Sequence, residues 1–105
     1  MSKRRFKSKP FLQWIHELGC TINNERCGGP IQAHHLLKPW VGGRGMGMKA
    51  DDRNVIPLCM NHHSELHVKF GDEFQFFAHY KKPEDYGQKL AEALYDEGVN
   101  LNLIE

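Results

Sequence analysis

Asp52-Arg53-Asn54-Val55-Ile56-Pro57-Leu58-Cys59-Met60-Asn61-His62-His63-Ser64-Glu65-Leu66-His67 is the stretch on which the fold turns. Asn54 to Leu58 reads as a short apolar strand, with Pro57 near its end, a placement suited to an edge or a bend. From Asn61 the pattern becomes helical and runs to about Phe70. A strand therefore feeds directly into a helix, and Cys59-x-x-His62 sits at the junction. His63 and His67, four residues apart, share one helix face, so both imidazoles reach the same metal ion. A zinc-protease helix needs Glu directly after its first His; here Ser64 follows, and that reading is set aside.

Upstream, Trp40 to Asp52 holds four glycines and no periodicity, which makes it a loop. Before it, Ile31 to Leu37 reads as extended and carries His34-His35. Consecutive strand residues point to opposite sides, so the two rings are expected to do different work. One completes a metal site with the helix pair, and the other stays unligated as a base. Cys20 to Gly29 has turn chemistry throughout. Cys20 and Cys27 flank that turn and, with Cys59 and His62, supply the four ligands that tetrahedral Zn²⁺ prefers. A closed Cys3His site leaves no position for a reactive water, so it is expected to be structural. The spacing of the first pair is wider than in most zinc motifs, and buried free thiols are the competing interpretation.

Outward again, Phe11, Trp14, Ile15 and Leu18 form one helical face, with Pro10 in the first turn and Gly19 as the stop. Trp14 reads as a core anchor. Downstream, Gly71-Asp72 punctuates, and Phe74, Phe77 and Ala78 mark another helix. Lys82-Pro83-Glu84-Asp85 opens a last one, with Leu90, Ala93 and Leu94 as its apolar stripe and Gly98 as its end. The organisation expected is a basic, mobile segment over 1–9, one domain over 10–98 and a tail over 99–105.

A chain of 105 residues has room for one domain, and one this small commonly needs a metal, disulfide or partner as a staple. Three cysteines cannot close a complete disulfide set. No apolar run approaches a membrane span and the first residues are basic, so a reducing cytosol is expected, where clustered thiols favour metal. The net charge of +1 hides a split. Residues 1–50 carry nine Lys/Arg against two Asp/Glu, a balance of +7; residues 51–105 carry five against eleven, a balance of −6. The basic half suits a polyanion such as DNA, although a solvated surface accounts for the asymmetry equally well.

The order Cys20…Cys27…Ala33-His34-His35…Asp52-Arg53-Asn54-Val55-Ile56-Pro57-Leu58-Cys59…His62-His63…His67 resembles the HNH endonucleases, in particular small phage and prophage nucleases of the recombination-enhancement type. The resemblance spans roughly residues 11 to 97, and its specific part is 20 to 67. It implies an α+β fold with a ββα-metal centre, a structural zinc site and flanking helices. On these positions it implies His34, His63 and His67 as ligands of the catalytic ion and His35 as the general base. Asn54 takes the middle-letter place and braces the loop so as to orient that base. His62 stands where many relatives have a fourth zinc-binding Cys.

The implied activity is hydrolysis of DNA phosphodiester bonds, leaving a 5′ phosphate and a 3′ hydroxyl. Only one catalytic metal site can be built from these ligands. Imidazole favours Zn²⁺, Ni²⁺, Co²⁺ or Mn²⁺, whereas relatives commonly work with Mg²⁺ or Mn²⁺. Arg44 and Lys49 in the glycine loop, with Lys38, are expected to clamp the DNA strand. No base-reading element is evident, which predicts low sequence specificity. The resemblance also places the chain in the cytoplasm of a phage's bacterial host, acting alone or with a recombination or packaging protein. A non-catalytic zinc module that binds DNA or protein is the alternative, although it leaves His35, Asn54 and the His63/His67 pair without a task.

Overall fold

A computed structural model describes residues 6–43 and 49–104. The chain is a small α+β protein built around a two-stranded antiparallel sheet. Helix α1 (Lys9–His16) leads into a turn-rich segment and strand β1 (Ile31–His35). Strand β2 (Val55–Cys59) runs straight into α2 (Met60–Glu65), which continues as a π-helical turn (Leu66–Phe70) before α3 (Glu73–His79) and α4 (Tyr86–Asn100).

The register pairs Ile31 with Cys59, Ala33 with Pro57 and His35 with Val55. Between these, Gln32 lies opposite Leu58 and His34 opposite Ile56. Hydrogen bonds from Leu36 N to Asn54 O (2.8 Å) and from Met60 N to Pro30 O (2.9 Å) mark the even-numbered β1 positions as the bonded ones. Pro57 thus occupies a non-bonded position, where its missing N–H costs nothing. Its carbonyl points outward and accepts from Thr21 N (2.9 Å) and Thr21 Oγ1 (2.7 Å). That pair of bonds anchors the chain beside Cys20 to the strand that ends in Cys59.

Every residue of β2 is buried, which explains its unbroken apolar run. Ile56 and Leu58 pack with Leu36, Leu66, Phe76, Phe77 and Ala91. Val55 faces the other way, into Phe11 and Ile15 of α1. The strand parity therefore sends Gln32 and His34 toward the face of Ile56 and Leu58, and His35 toward the face of Val55 and α1.

The ends of α1 and α4 differ from the sequence expectations. Ser8 caps α1 by accepting from Phe11 N (3.3 Å), so Lys9 is already helical. The backbone of Phe6 and Ser8 is hydrogen-bonded into the fold, which corrects the mobile segment expected over 1–9 at its 6–9 end; residues 1–5 lie outside the described residues. Gly98 does not end α4. It is buried against α1, and a Cβ there would lie 2.7 Å from Phe11 Cδ1. Close approach between the helices is what requires glycine. The helix continues to Asn100, and Leu103 O and Ile104 pack back on Ser8 and α1, so the expected tail is part of the fold. Ala78 and Ala93 are exposed; Phe76 and Ala91 take the core places instead.

Candidate metal centre

Two clusters of metal-ligating side chains form around the β2–α2 unit, and the neighbouring residues His62 and His63 belong to different ones. Cys20, Cys27, Cys59 and His62 bring one ligand atom each to within 4.8 Å of one another. His62 Nδ1 lies 3.6 Å from both Cys20 Sγ and Cys27 Sγ and 3.2 Å from Cys59 Sγ. Ordinary Zn–S and Zn–N bond lengths in a tetrahedron place sulfur and nitrogen about 3.5 Å apart. The cluster fits a zinc-sized ion.

Local chemistry builds this cluster. The turn is closed by Asn24, whose carbonyl accepts from Cys27 N and whose side chain accepts from Arg26 N (2.9 Å). Gly29, with φ of 79°, turns the chain so tightly over α2 that a Cβ would meet Met60 Cβ at 2.6 Å. Cys59 caps α2 by accepting from His62 N (3.4 Å). Burial opposes ionisation of the Cys59 thiol, but the N–H groups of His62 and Gly28 outweigh it and bring the thiol down to about 6. A thiolate at neutral pH is the form that binds metal.

The second cluster joins His34 of β1 to His63 of α2 and His67 of the π-helical turn, again within 4.8 Å. His34 is fully buried. Its Nε2 lies 2.7 Å from Glu73 Oε2, and its Nδ1 has no hydrogen-bond partner. Leaving a buried polar nitrogen unsatisfied costs about 1–3 kcal/mol. A metal–nitrogen bond removes that penalty. His63 Nδ1 is held 2.6 Å from Gln32 Oε1, which fixes its proton there and leaves Nε2 as the lone-pair atom. That Nε2 lies 3.2 Å from His67 Nε2. Burial, then the neighbouring His34 and His67, lowers the proton affinity of His63 to about 4, so the ring is neutral at pH 7. His67 is lowered as well, first by burial and then by His34. Three imidazoles whose ligand nitrogens lie this close together are the donor set of a divalent transition ion.

Glu73 was not singled out in the sequence, yet it organises this cluster. Its buried carboxylate accepts from His34 Nε2, Leu37 N (2.8 Å) and Lys38 N (2.9 Å). Burial opposes its ionisation, but the His34 ring and those two N–H groups prevail and hold the carboxyl below its ordinary range. Gln32 was missed for the same reason: its role depends on a residue 31 positions away.

His35 does not join the trio. It lies on the other face of β1, with Nε2 2.9 Å from Asp52 Oδ1. Asn54, fully buried, braces the loop: Oδ1 accepts from Trp40 N (2.8 Å) and Val41 N (3.4 Å), and Nδ2 donates to Val41 O (3.1 Å) and Asp51 Oδ1 (3.2 Å). The direct partner of His35 is thus Asp52 rather than Asn54. Lys38 contacts Glu73 through its backbone, and Lys49 lines an open groove beside His35. Arg44 lies outside the described residues.

Fold and site together define a small α+β domain with two preformed Cys/His clusters suited to metal. The chain belongs to the family described as "Protein of unknown function (DUF968)", whose pattern matches residues 2–94. It is also 38% identical over 76 residues to the "Uncharacterized protein YdfU" of Escherichia coli (strain K12). That match covers 69% of this chain and 20% of YdfU, so the chain spans about a fifth of the length of this relative. No solved structure matches it significantly. Among the described residues no helix is long and apolar enough to cross a membrane.

Proposed function

We propose that this protein is a metal-dependent DNA endonuclease of the HNH kind, with β1, β2 and α2 forming its ββα-metal centre. The observation that carries the reading is the convergence of His34, His63 and His67, with the buried Nδ1 of His34 left without a hydrogen-bond partner and the strand neighbour His35 outside the cluster. Cys20, Cys27, Cys59 and His62 would hold a structural zinc ion that staples the small core. His34, His63 and His67 would hold the working divalent ion. Such an ion supplies Lewis-acid stabilisation of the charge that develops on a phosphodiester during hydrolysis.

The remaining steps belong to the chain's own groups. His35 donates Nε2–H to Asp52 Oδ1, so its lone pair resides on Nδ1 and takes a proton from water there. A base of this kind contributes about 10² to 10⁴ in rate. Asn54 holds the loop after β1 against Asp51 and so fixes the strand ends between which His35 works. Asp52 compensates the imidazolium that forms. The acidic C-terminal half limits how much nucleic acid surface the domain can cover, which fits low sequence specificity.

The test is to incubate zinc-loaded protein with supercoiled plasmid and with single-stranded DNA, adding Mg²⁺, Mn²⁺, Ni²⁺ or Zn²⁺ in turn. Ion-dependent nicking that a chelator abolishes is the expected result. A protein that binds two metal ions yet cuts no DNA under any of them would instead be the non-catalytic zinc module.

A further inference from the structure

The N-terminal segment is built into the site by bonds that a frayed end would not make. Asp52 N donates to Phe6 O (3.2 Å), and Ser8 N donates to Asp52 Oδ2 (3.0 Å), the same carboxylate that holds His35. Ser8 Oγ donates to Leu103 O (3.1 Å). The ring of Phe6 packs edge-on against Tyr95 at 5.7 Å, and the Arg53 guanidinium lies 5.8 Å over it. These contacts hold Phe6 to Lys9 as one wall of an open groove of about 550 Å³. His35 and Lys49 line the same groove, and its apolar lining comes from Phe6, Leu12 and Ala50.

Charge sets what this groove accepts. Its two acids are already engaged: Asp51 by Arg53 (2.6 Å), and Asp52 by Ser8 N–H and His35. Lys7 and Lys9 are exposed at the rim and make no ion pair among the described residues. The groove is therefore an apolar trough edged by cations, with an imidazole in its lining.

We infer that this groove binds a single strand of nucleic acid, with bases on Phe6 and Leu12 and phosphates on Lys7, Lys9 and Lys49. A duplex keeps its bases stacked inside and offers the apolar surface nothing; an unpaired strand offers both. The inference builds on the nuclease reading by naming the form of its substrate, and it positions the phosphate beside His35.

The test measures binding apart from cleavage. Zinc-loaded full chain, with no other divalent ion, is titrated into a fluorescent 12-nucleotide oligothymidylate, and anisotropy is followed across a salt series. Lys7→Glu/Lys9→Glu is compared with Lys81→Glu/Lys89→Glu, which carries the same charge change outside the groove, after thermal melts confirm that both are folded. Each phosphate contact on a single strand contributes about 0.7 to the salt slope, so the groove variant should lose about 1.4 and bind at least tenfold more weakly. The control should bind like wild type. Equal weakening of both variants, an unaffected groove variant, tighter binding of a matched duplex, or no binding by wild type would each overturn the inference. Binding by wild type without any cutting in the plasmid assay would sink the nuclease reading alone.

Discussion

Replacing Glu73 with Gln changes one oxygen for one NH2 group at a fully buried position. The carboxylate now serves three donors: Oε2 accepts from His34 Nε2 (2.7 Å) and Leu37 N (2.8 Å), and Oε1 accepts from Lys38 N (2.9 Å). The amide does least harm with its oxygen toward His34 and Leu37, which aims NH2 at the Lys38 N–H. One buried hydrogen bond is lost and two donors face each other, a cost of about 1–3 kcal/mol in stability. The negative charge that strengthens His34 as a ligand also disappears. Removing an outer partner of a metal-bound histidine typically costs 10- to 100-fold in affinity, or about 1.4–2.8 kcal/mol. The assay is calorimetric titration of Ni²⁺, which suits imidazole, into protein whose cysteine site is already filled with zinc. Glu73→Gln should bind Ni²⁺ at least tenfold more weakly, with zinc content unchanged. An affinity equal to that of wild type in a folded variant would refute the argument that Glu73 orients His34.

Two further outcomes follow from the packing. Cys59→Ser keeps an oxygen to cap α2 but removes a zinc ligand, so zinc stoichiometry should fall by one and cooperative thermal unfolding should be lost, because structural zinc is worth on the order of 10 kcal/mol of folding free energy; an intact melt without zinc would contradict the staple. Gly98→Ala drives a methyl into Phe11, at 2.7 Å from its ring. Overpacking of this kind costs about 1–3 kcal/mol, and differential scanning calorimetry should show a Tm drop of about 4–8 °C for each kcal/mol lost; an unchanged Tm would mean that α1 and α4 can move apart.

Much of the site was legible because its ligands come in local patterns. Cys59-x-x-His62 and His63-x3-His67 follow from helix geometry alone, and the alternation of a strand is enough to separate His34 from His35. The hydrophobic run of β2 likewise announces itself. What stayed hidden depends on contacts between distant positions. Glu73 reads as an acid in the first turn of a helix, and nothing local says that it reaches His34 across 39 residues. Asp52 stands in a run with Asp51 and Arg53, and only the fold shows that it faces His35 while its neighbour pairs with Arg53. Gly98 has the composition of a stop signal but serves as a contact surface, a distinction set by Phe11 on another helix. The basic start of the chain looked frayed because the bonds that fix Phe6 and Ser8 lead to residues 52 and 103.

His35→Ala tests the central claim most directly, because the ring lies outside both metal clusters and its loss leaves every ligand in place. Plasmid nicking and total bound metal are measured side by side for wild type and variant under the ion that supports fastest cutting. The expected result is two metal ions in each protein, with nicking by the variant slower by about 10² to 10⁴. Equal rates in the two proteins, or wild type that carries both ions and cuts nothing, would contradict it.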